Sequence, residues 1–326
     1  MFKRQLVLVA IDHRTDVERT MDVALRSAKA RGADVHVIQV VPHRAGRVDE
    51  RLAPWAFEPQ DGGGVDIRAR LASSLRSTED DGARVQSVTL RGEPEQVIPA
   101  YAQLHQATML VVERDYGSSR FWRNARVVNE VARRSPMPLL VLPTRQRREW
   151  DEHGLRRIVT PVDFSIASAV ALRMAVDLSN RHGARITLVH ALKDVPHHMV
   201  FSGSEASEVV GRLPAHTEAV AERLRRKAAF FGADDVDTEV ATGVADGAIL
   251  EIAARDADLV VMGIAHRSWL DRLLFGSTLR RVVRRATVPV LVIPVVAGAH
   301  TWPNELVVDC INDQARTNFA ADRVAA

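Results

Sequence analysis

The chain repeats itself, because its two halves align at an offset of 151 residues with only small slips. The segment LVLVAID, which ends at Asp12, matches RRIVTPVD, which ends at Asp163. A helical apolar stripe follows in each half, and then a glycine, Gly32 or Gly183, precedes a β-branched run. Glycine suits the left-handed residue that ends many helices, and β-branched residues favour strands. A repeat of this length predicts two copies of one fold.

The correspondence continues to the end of each half. LRGEPEQVIPAYA matches ATGVADGAILEIA, MLVVE matches LVVMG one residue out of register, and PMPLLVLP matches TVPVLVIP. Each half therefore reads β-α-β-α-β-α-β-α-β, with short, continuous apolar strands that suit a parallel sheet covered on both faces. We predict an α/β protein built from two tandem copies of an open, five-stranded parallel sheet with helices on both faces.

The boundaries follow from composition. A charged segment, TRQRREWDEHGLR, links the halves, and two stretches rich in turn-forming residues, 43–66 and 194–214, are expected to be irregular surface segments. We predict a first domain at residues 1–144, a second domain at 155–295 and a C-terminal tail at 296–326.

The bulk properties exclude several classes of protein. The 326 residues carry a formal net charge of only +3, which does not indicate a nucleic-acid partner. No apolar run reaches the roughly 18 residues that a membrane span needs. Cys310 is the only cysteine, so no disulfide framework is expected. The simplest expectation is a cytoplasmic protein with no membrane partner.

The second half carries a candidate anion site. In open α/β sheets ligands bind beyond the carboxyl ends of the strands, which here are marked by Asp163 and Gly263. Gly263 has no Cβ to keep a ribose or phosphate away from the backbone. Farther on, Gly276-Ser277-Thr278 is predicted to open a helix, whose free N–H groups favour an anion. The two hydroxyls could cap that helix or bind phosphate oxygens.

These motifs together resemble the universal stress protein family over nearly the whole of both halves. The residues that carry the resemblance are the strand ending at Asp163, VVMG at 260–263, Gly276-Ser277 and the closing strand VPVLVIP. The chain looks like a tandem member with adenine-nucleotide alpha-hydrolase-like domains. The resemblance implies an ATP site, with magnesium accompanying the nucleotide, at nine residues of the second half: Pro161, Asp163, Ala191, Met262, Gly263, His266, Gly276, Ser277 and Thr278.

The resemblance also implies individual roles. Asp163 would contact the nucleoside and the backbone near Ala191 the adenine, while the residues from Gly276 on would hold phosphate oxygens. His266 departs from the family pattern, because nucleotide-binding members have a glycine at this position. Two interpretations stay open: His266 donates a hydrogen bond to a phosphate, or the loop has lost tight nucleotide binding.

The first half departs further from the family. Glu113 replaces the first glycine of the loop, and Ala125-Arg126 stand where the second half has Gly276-Ser277. A carboxylate at this position would repel a phosphate. We therefore expect the first half to be a structural or regulatory partner.

Other polar clusters have plain interpretations. His190, His197 and His198 could form a metal site with His43 or His182, but no acidic or cysteine partner stands at ligand spacing, and a polar surface is favoured. No metal site is predicted. The arginines that follow an apolar stripe in both halves could bind RNA or an acidic partner, although a solvated helix face is favoured. They are Arg133, Arg134, Arg280, Arg281, Arg284 and Arg285.

No catalytic motif is present, since the chain has neither a Gly-x-Ser-x-Gly elbow nor a Walker loop. The expected function is a stress response exerted by binding and not by catalysis, with slow ATP hydrolysis left open. The alternative is a nucleotide-free scaffold for proteins or a small ligand. The family resemblance also implies an internal pseudo-dimer, with Leu139–Val141 against Val290–Val292, and two chains could form a homodimer. The protein partners are unknown.

Overall fold

The computed structural model divides the chain into two compact units, Met1–Gln146 and Arg147–Ala326. It describes ten stretches of residues: 4–11, 15–29, 32–41, 83–114, 131–132, 134, 137–144, 154–192, 203–265 and 276–295. The predictions for 43–66, for the linker up to residue 153 and for the C-terminal tail lie outside these stretches.

The first unit follows the predicted alternation in its described part. Its elements are β1 (Leu6–Ile11), α1 (Val17–Lys29), β2 (Asp34–Val41), β3 (Val85–Arg91), α2 (Pro94–Leu104), β4 (Met109–Arg114) and β5 (Leu139–Pro143). The strands are parallel and lie in the order β3-β2-β1-β4-β5. Every residue of β1 and β4 is buried, as expected for strands covered on both faces.

The second unit repeats this arrangement with more of its helices described. Its elements are β6 (Arg157–Pro161), α3 (Ile166–His182), β7 (Arg185–Leu192), α4 (Gly203–Phe230), β8 (Val236–Thr242), α5 (Ala245–Asp256), β9 (Leu259–Ala265), α6 (Gly276–Arg285) and β10 (Val290–Val295). The parallel strands lie in the order β8-β7-β6-β9-β10. The α/β fold with open parallel sheets is thus confirmed.

Strand register fixes which residues of the two units are equivalent. In the first unit Val7 of β1 is opposite Met109 of β4, and in the second Ile158 of β6 is opposite Leu259 of β9. Counting on from these pairs, Glu113 and Gly263 occupy the same place, at the carboxyl end of the strand next to the middle one. The one-residue slip between MLVVE and LVVMG therefore reflects the true alignment.

Local signals explain where the helices begin and end. Ser165 caps α3, because its Oγ accepts a hydrogen bond from the Ser168 N–H at 3.2 Å. Gly183 ends the same helix at φ 66°, and its N–H donates to the Ser179 carbonyl at 2.8 Å. Gly32 has φ 60° at the corresponding place in the first unit. Both predicted left-handed glycines are therefore confirmed.

One expectation about 194–214 is wrong, because α4 already begins at Gly203. Gly211 and Pro214 indicated an irregular segment, but they lie inside a run that is rich in strong helix formers such as Glu205 and Glu208. The last turns of α4 pack on the core of the second unit. That core includes Val162, Leu172, Val176, Ile186, Leu188, Leu224, Ala228 and Phe231. Burial of this helix face stabilises the whole element, so local breakers are overridden.

Candidate functional site

The fold places several of the predicted residues at one edge of the second sheet. β7, β6 and β9 are neighbours and parallel, so their carboxyl ends lie side by side. Pro161 is the last residue of β6, Ala191 lies near the end of β7, and Met262 and Gly263 lie near the end of β9. Met262 is buried, whereas Pro161 and Ala191 are half-buried. His266 lies outside the described residues.

Asp163 is the exposed carboxylate at this edge. It lies two residues beyond β6, and its Oδ1 accepts a hydrogen bond from the Ser165 N–H at 3.0 Å. This contact ties the carboxylate to Ser165, the N-cap residue of α3, as in short turns that begin with an aspartate. The other oxygen, Oδ2, receives no hydrogen bond within the described part of the chain. Asp163 therefore presents an acceptor to solvent from a fixed turn.

The structure begins α6 at Gly276, where the sequence predicted a helix start. Ser277 and Thr278 are half-exposed in its first turn. Four N–H groups at a helix start lack partners inside the helix, and they carry the positive end of the helix dipole. The first turn contains no acidic residue, and the last turn carries Arg284 and Arg285. This end of α6 is thus electrostatically suited to an anion.

The packing of α3 on β9 requires a glycine at position 263, which the sequence did not indicate. A Cβ built on Gly263 would lie 1.9 Å from the carbonyl oxygen of Ala167, which belongs to the first turn of α3. No side chain can be accommodated at that distance without moving the helix. The glycine therefore allows α3 to rest directly on β9, whether or not a ligand approaches from the other side.

In the first unit the equivalent position holds a buried carboxylate. Glu113 Oε2 accepts a hydrogen bond from the Asp16 N–H at 2.6 Å, and Oε1 accepts one from Arg19 Nη2 at 3.0 Å. The Thr20 hydroxyl lies 3.5 Å from Oε2. The Glu113 side chain is only 3% exposed and that of Arg19 is 18% exposed. An internal anion thus occupies the start of α1.

Arg19 anchors this cluster to the neighbouring strand. Its guanidinium also donates to the carbonyls of Pro143 and Thr144, at the end of β5. A buried carboxylate is costly unless it is paired and hydrogen-bonded, and here it has both a cation and a backbone donor. The pairing was missed because Arg19 and Glu113 are 94 positions apart. The available signal was Glu113 itself, since a charge in a buried strand requires a partner.

Two other expectations from the sequence need correction. His190 is not simple polar surface: it is half-buried, and its Nδ1 lies 2.6 Å from the Val162 carbonyl oxygen. Arg281 does not merely face solvent, because it pairs at 3.0 Å with Asp246, whose side chain is 6% exposed. Arg280 and Arg284 are exposed, as a solvated helix face predicts.

The described residues contain no group of three histidine, cysteine, aspartate or glutamate side chains that could hold a metal ion. His43, His197 and His198 lie outside them. No helix in the described ranges is both long enough and apolar enough to cross a membrane.

Comparisons with known proteins agree with the duplicated fold. The model of the universal stress protein family matches twice, at residues 3–143 and 154–294. A universal stress protein of Methanocaldococcus jannaschii is 29% identical over 143 residues, covering 44% of this chain and 84% of its own length. One from Thermus aquaticus is 32% identical over 140 residues, covering 42% and 98%.

A solved structure extends the likeness over the full chain. A Pseudomonas aeruginosa protein of unknown function superposes with a TM-score of 0.59 at 18% identity, covering 96% of this chain and 98% of its own. At that identity the match concerns the fold alone. The two family matches, however, cover most of the chain. The protein therefore belongs to the universal stress protein family, with two family domains in tandem.

Proposed function

We propose that this protein acts in a stress response by binding, and that an adenine nucleotide, ATP, binds in the second unit only. The observation that carries the proposal is the start of α6, where Gly276 opens the helix and Ser277 and Thr278 are half-exposed in its first turn. A helix start of this kind offers N–H groups, hydroxyl donors and the positive dipole end to a phosphate. In nucleotide-binding members of the family, residues at these positions hold phosphate oxygens.

The remaining contacts follow from the shared edge of the sheet. Asp163, with one oxygen fixed by Ser165, suits hydrogen bonds from ribose hydroxyls. The backbone near Ala191 would meet the adenine, and Met262 and Gly263 would flank the ribose and phosphates, with Pro161 at the same edge of the sheet. His266, in the segment between β9 and α6, would donate to a phosphate.

Magnesium would enter with ATP. Since the described residues offer no cluster of three metal ligands, the phosphates would supply most of its coordination. The protein would then supply binding and orientation and no chemical step. Cytoplasmic location, the internal pseudo-dimer and a homodimer all stay predictions.

The first unit supports the restriction of the site to the second. Its Glu113 carboxylate stands at the place that Gly263 has in the second unit and caps the start of α1, with Arg19 as its cationic partner. A phosphate entering there would meet a buried negative charge. The first unit would therefore serve as a nucleotide-free structural or regulatory partner.

The test is titration calorimetry of the full chain with ATP. We expect saturable binding that Gly276→Glu abolishes, because the new carboxylate would lie at the phosphate position. Gly247→Glu is the matched control: it places the same charge at an exposed glycine of α5, where a Cβ would meet nothing within 4 Å. No heat at millimolar ATP, or equal binding by both variants, would refute the proposal.

A nucleotide-free scaffold is the second candidate, and Gly263 favours it. The close approach of Ala167 is sufficient to explain a glycine at position 263. This residue of the family's nucleotide loop could therefore be present for packing alone. Mass spectrometry of small molecules released from the freshly purified protein separates the two candidates. An adenine nucleotide released in stoichiometric amount would count against the scaffold.

A further inference from the structure

The turn that presents Asp163 contains a strained residue. Phe164 has φ 61°, and Gln106 is the only other non-glycine residue with a positive φ in the described part of the chain. The left-handed conformation costs a bulky side chain about 1–2 kcal/mol or more. Such a conformation persists only where the surrounding structure holds it.

The residue before Asp163 is held by a side chain from β7. His190 Nδ1 lies 2.6 Å from the Val162 carbonyl oxygen. Because a carbonyl only accepts, Nδ1 carries the hydrogen and donates it. The N–H of Val162 in turn donates to the Val189 carbonyl at 2.8 Å. Val162, which leads into Asp163, is thus held through both its carbonyl and its N–H.

The residue after Asp163 is held by a side chain from α4. The Arg223 guanidinium carbon lies 3.9 Å from the centroid of the Phe164 ring, a close cation–π stack. The His190 ring is tilted against the same ring at 5.1 Å. Phe164 also packs against the core cluster of the second unit. His190 and Arg223 therefore hold the strained residue between them.

We propose that His190 and Arg223 are positioning residues, which hold the Asp163 carboxylate ready for the 2′- and 3′-hydroxyls of a ribose. This inference rests on the proposed nucleotide function. Neither side chain needs to touch the ligand. Each fixes one neighbour of Asp163, so that binding does not have to order the turn.

The first test compares two nucleotides that differ only in the ribose hydroxyls. His190→Ala and Arg223→Ala should each weaken ATP about tenfold, the equivalent of one charged hydrogen bond. Binding of 2′,3′-dideoxy-ATP, which lacks both hydroxyls, should change less than about twofold. His190→Asn should restore ATP affinity, because its amide N–H can replace the Nδ1 donor.

The matched control is Arg226→Ala, which removes an exposed arginine from the same helix and should leave both affinities unchanged. Equal losses for the two nucleotides would mean general damage to the domain and would overturn the positioning role.

A second readout needs no nucleotide. Hydrogen exchange at the Ser165 amide, the donor to Asp163, should be at least about fivefold faster in both alanine variants. The Gly183 amide, at the other end of the same helix, should keep its rate. If the wild-type protein bound neither nucleotide, the proposed function would be refuted. The exchange rates would still show whether His190 and Arg223 hold the turn at Asp163. Unchanged Ser165 exchange would overturn the positioning role.

Discussion

The ends of β4 and β9 are equivalent positions in the two units, but the residues there differ: one unit has a glutamate and the other a glycine. In the second unit Gly263 lets the backbone of α3 at Ala167 rest on the strand. In the first unit Glu113 fills the space, and its carboxylate caps the start of α1 at Asp16. Asp16 and Ala167 correspond under the 151-residue offset.

The difference shows how one copy of a duplicated fold can carry a buried carboxylate where the other copy has a glycine. The positive end of α1 is satisfied by an internal anion, and Arg19 completes the charge balance. The start of α3, which corresponds to α1 in the second unit, is capped by the Ser165 side chain instead, and the proposed phosphate contacts lie at another helix, α6. The first unit therefore holds a paired, buried carboxylate beside the carboxyl end of β4, whereas the second unit has a glycine without a side chain at the equivalent place.

The largest expected effect comes from removing the internal anion. Glu113→Ala should lower the free energy of unfolding by about 3 kcal/mol, because it leaves the Arg19 cation and the Asp16 N–H without their partner. Urea unfolding measures the loss. The double variant Arg19→Met with Glu113→Leu should recover most of it, since no buried charge is left unpaired. A single variant as stable as the wild type would break the comparison.

The next effect concerns the glycine in the second unit. Gly263→Ala should cost about 1–3 kcal/mol, because the new methyl group would force α3 away from β9. Gly247→Ala is the control within the same unit: this helical glycine is exposed and uncrowded, so alanine should stabilise α5 by about 0.5–1 kcal/mol. If both substitutions shifted the unfolding midpoint in the same direction, direct packing at Gly263 would be contradicted.

The smallest effect is a pH dependence confined to the first unit. His36 Nδ1 lies 2.9 Å from the Tyr101 hydroxyl, and the His105 ring lies 5.5 Å from the His36 ring. Burial, together with the nearby His105, lowers the pKa of His36 below its ordinary 6.5, although Asp34 partly opposes the shift. The second unit has Thr187 and Ile252 at the places of His36 and Tyr101, and neither can titrate.

The sign follows from proton binding. A lowered His36 pKa means that the unfolded chain binds more protons just below pH 6.5, so stability is lost as the pH falls through that range. Between about pH 7 and about pH 5, His36→Gln should reduce the loss measured by chemical denaturation. The exposed His182→Gln should leave it unchanged, and an equal or larger loss in the His36 variant would contradict the account.

Much of the fold could be predicted because its signals are local. Gly183 and Gly32 end helices at left-handed φ values, and the apolar strands read directly as buried parallel strands. The start of α6 at Gly276 also followed from the sequence. These features depend on neighbours within a few residues, where pattern and conformation are tightly linked.

What could not be predicted depends on contacts between distant segments. Glu113 was interpreted as a charge that would repel a ligand, and its partner Arg19 lies on another element. Gly263 was assigned to ligand approach, whereas its close contact is Ala167, nearly a hundred positions earlier. The link from His190 to the Val162 carbonyl likewise requires β6 and β7 to be paired first.

The most direct test of the proposed difference between the units is the number of adenine nucleotides that each chain binds at saturation. Native mass spectrometry of the full chain with ATP should show one nucleotide per chain, and none for Gly276→Glu. Two nucleotides per chain would contradict the internally filled site of the first unit. None in the wild type would contradict the anion site at the start of α6.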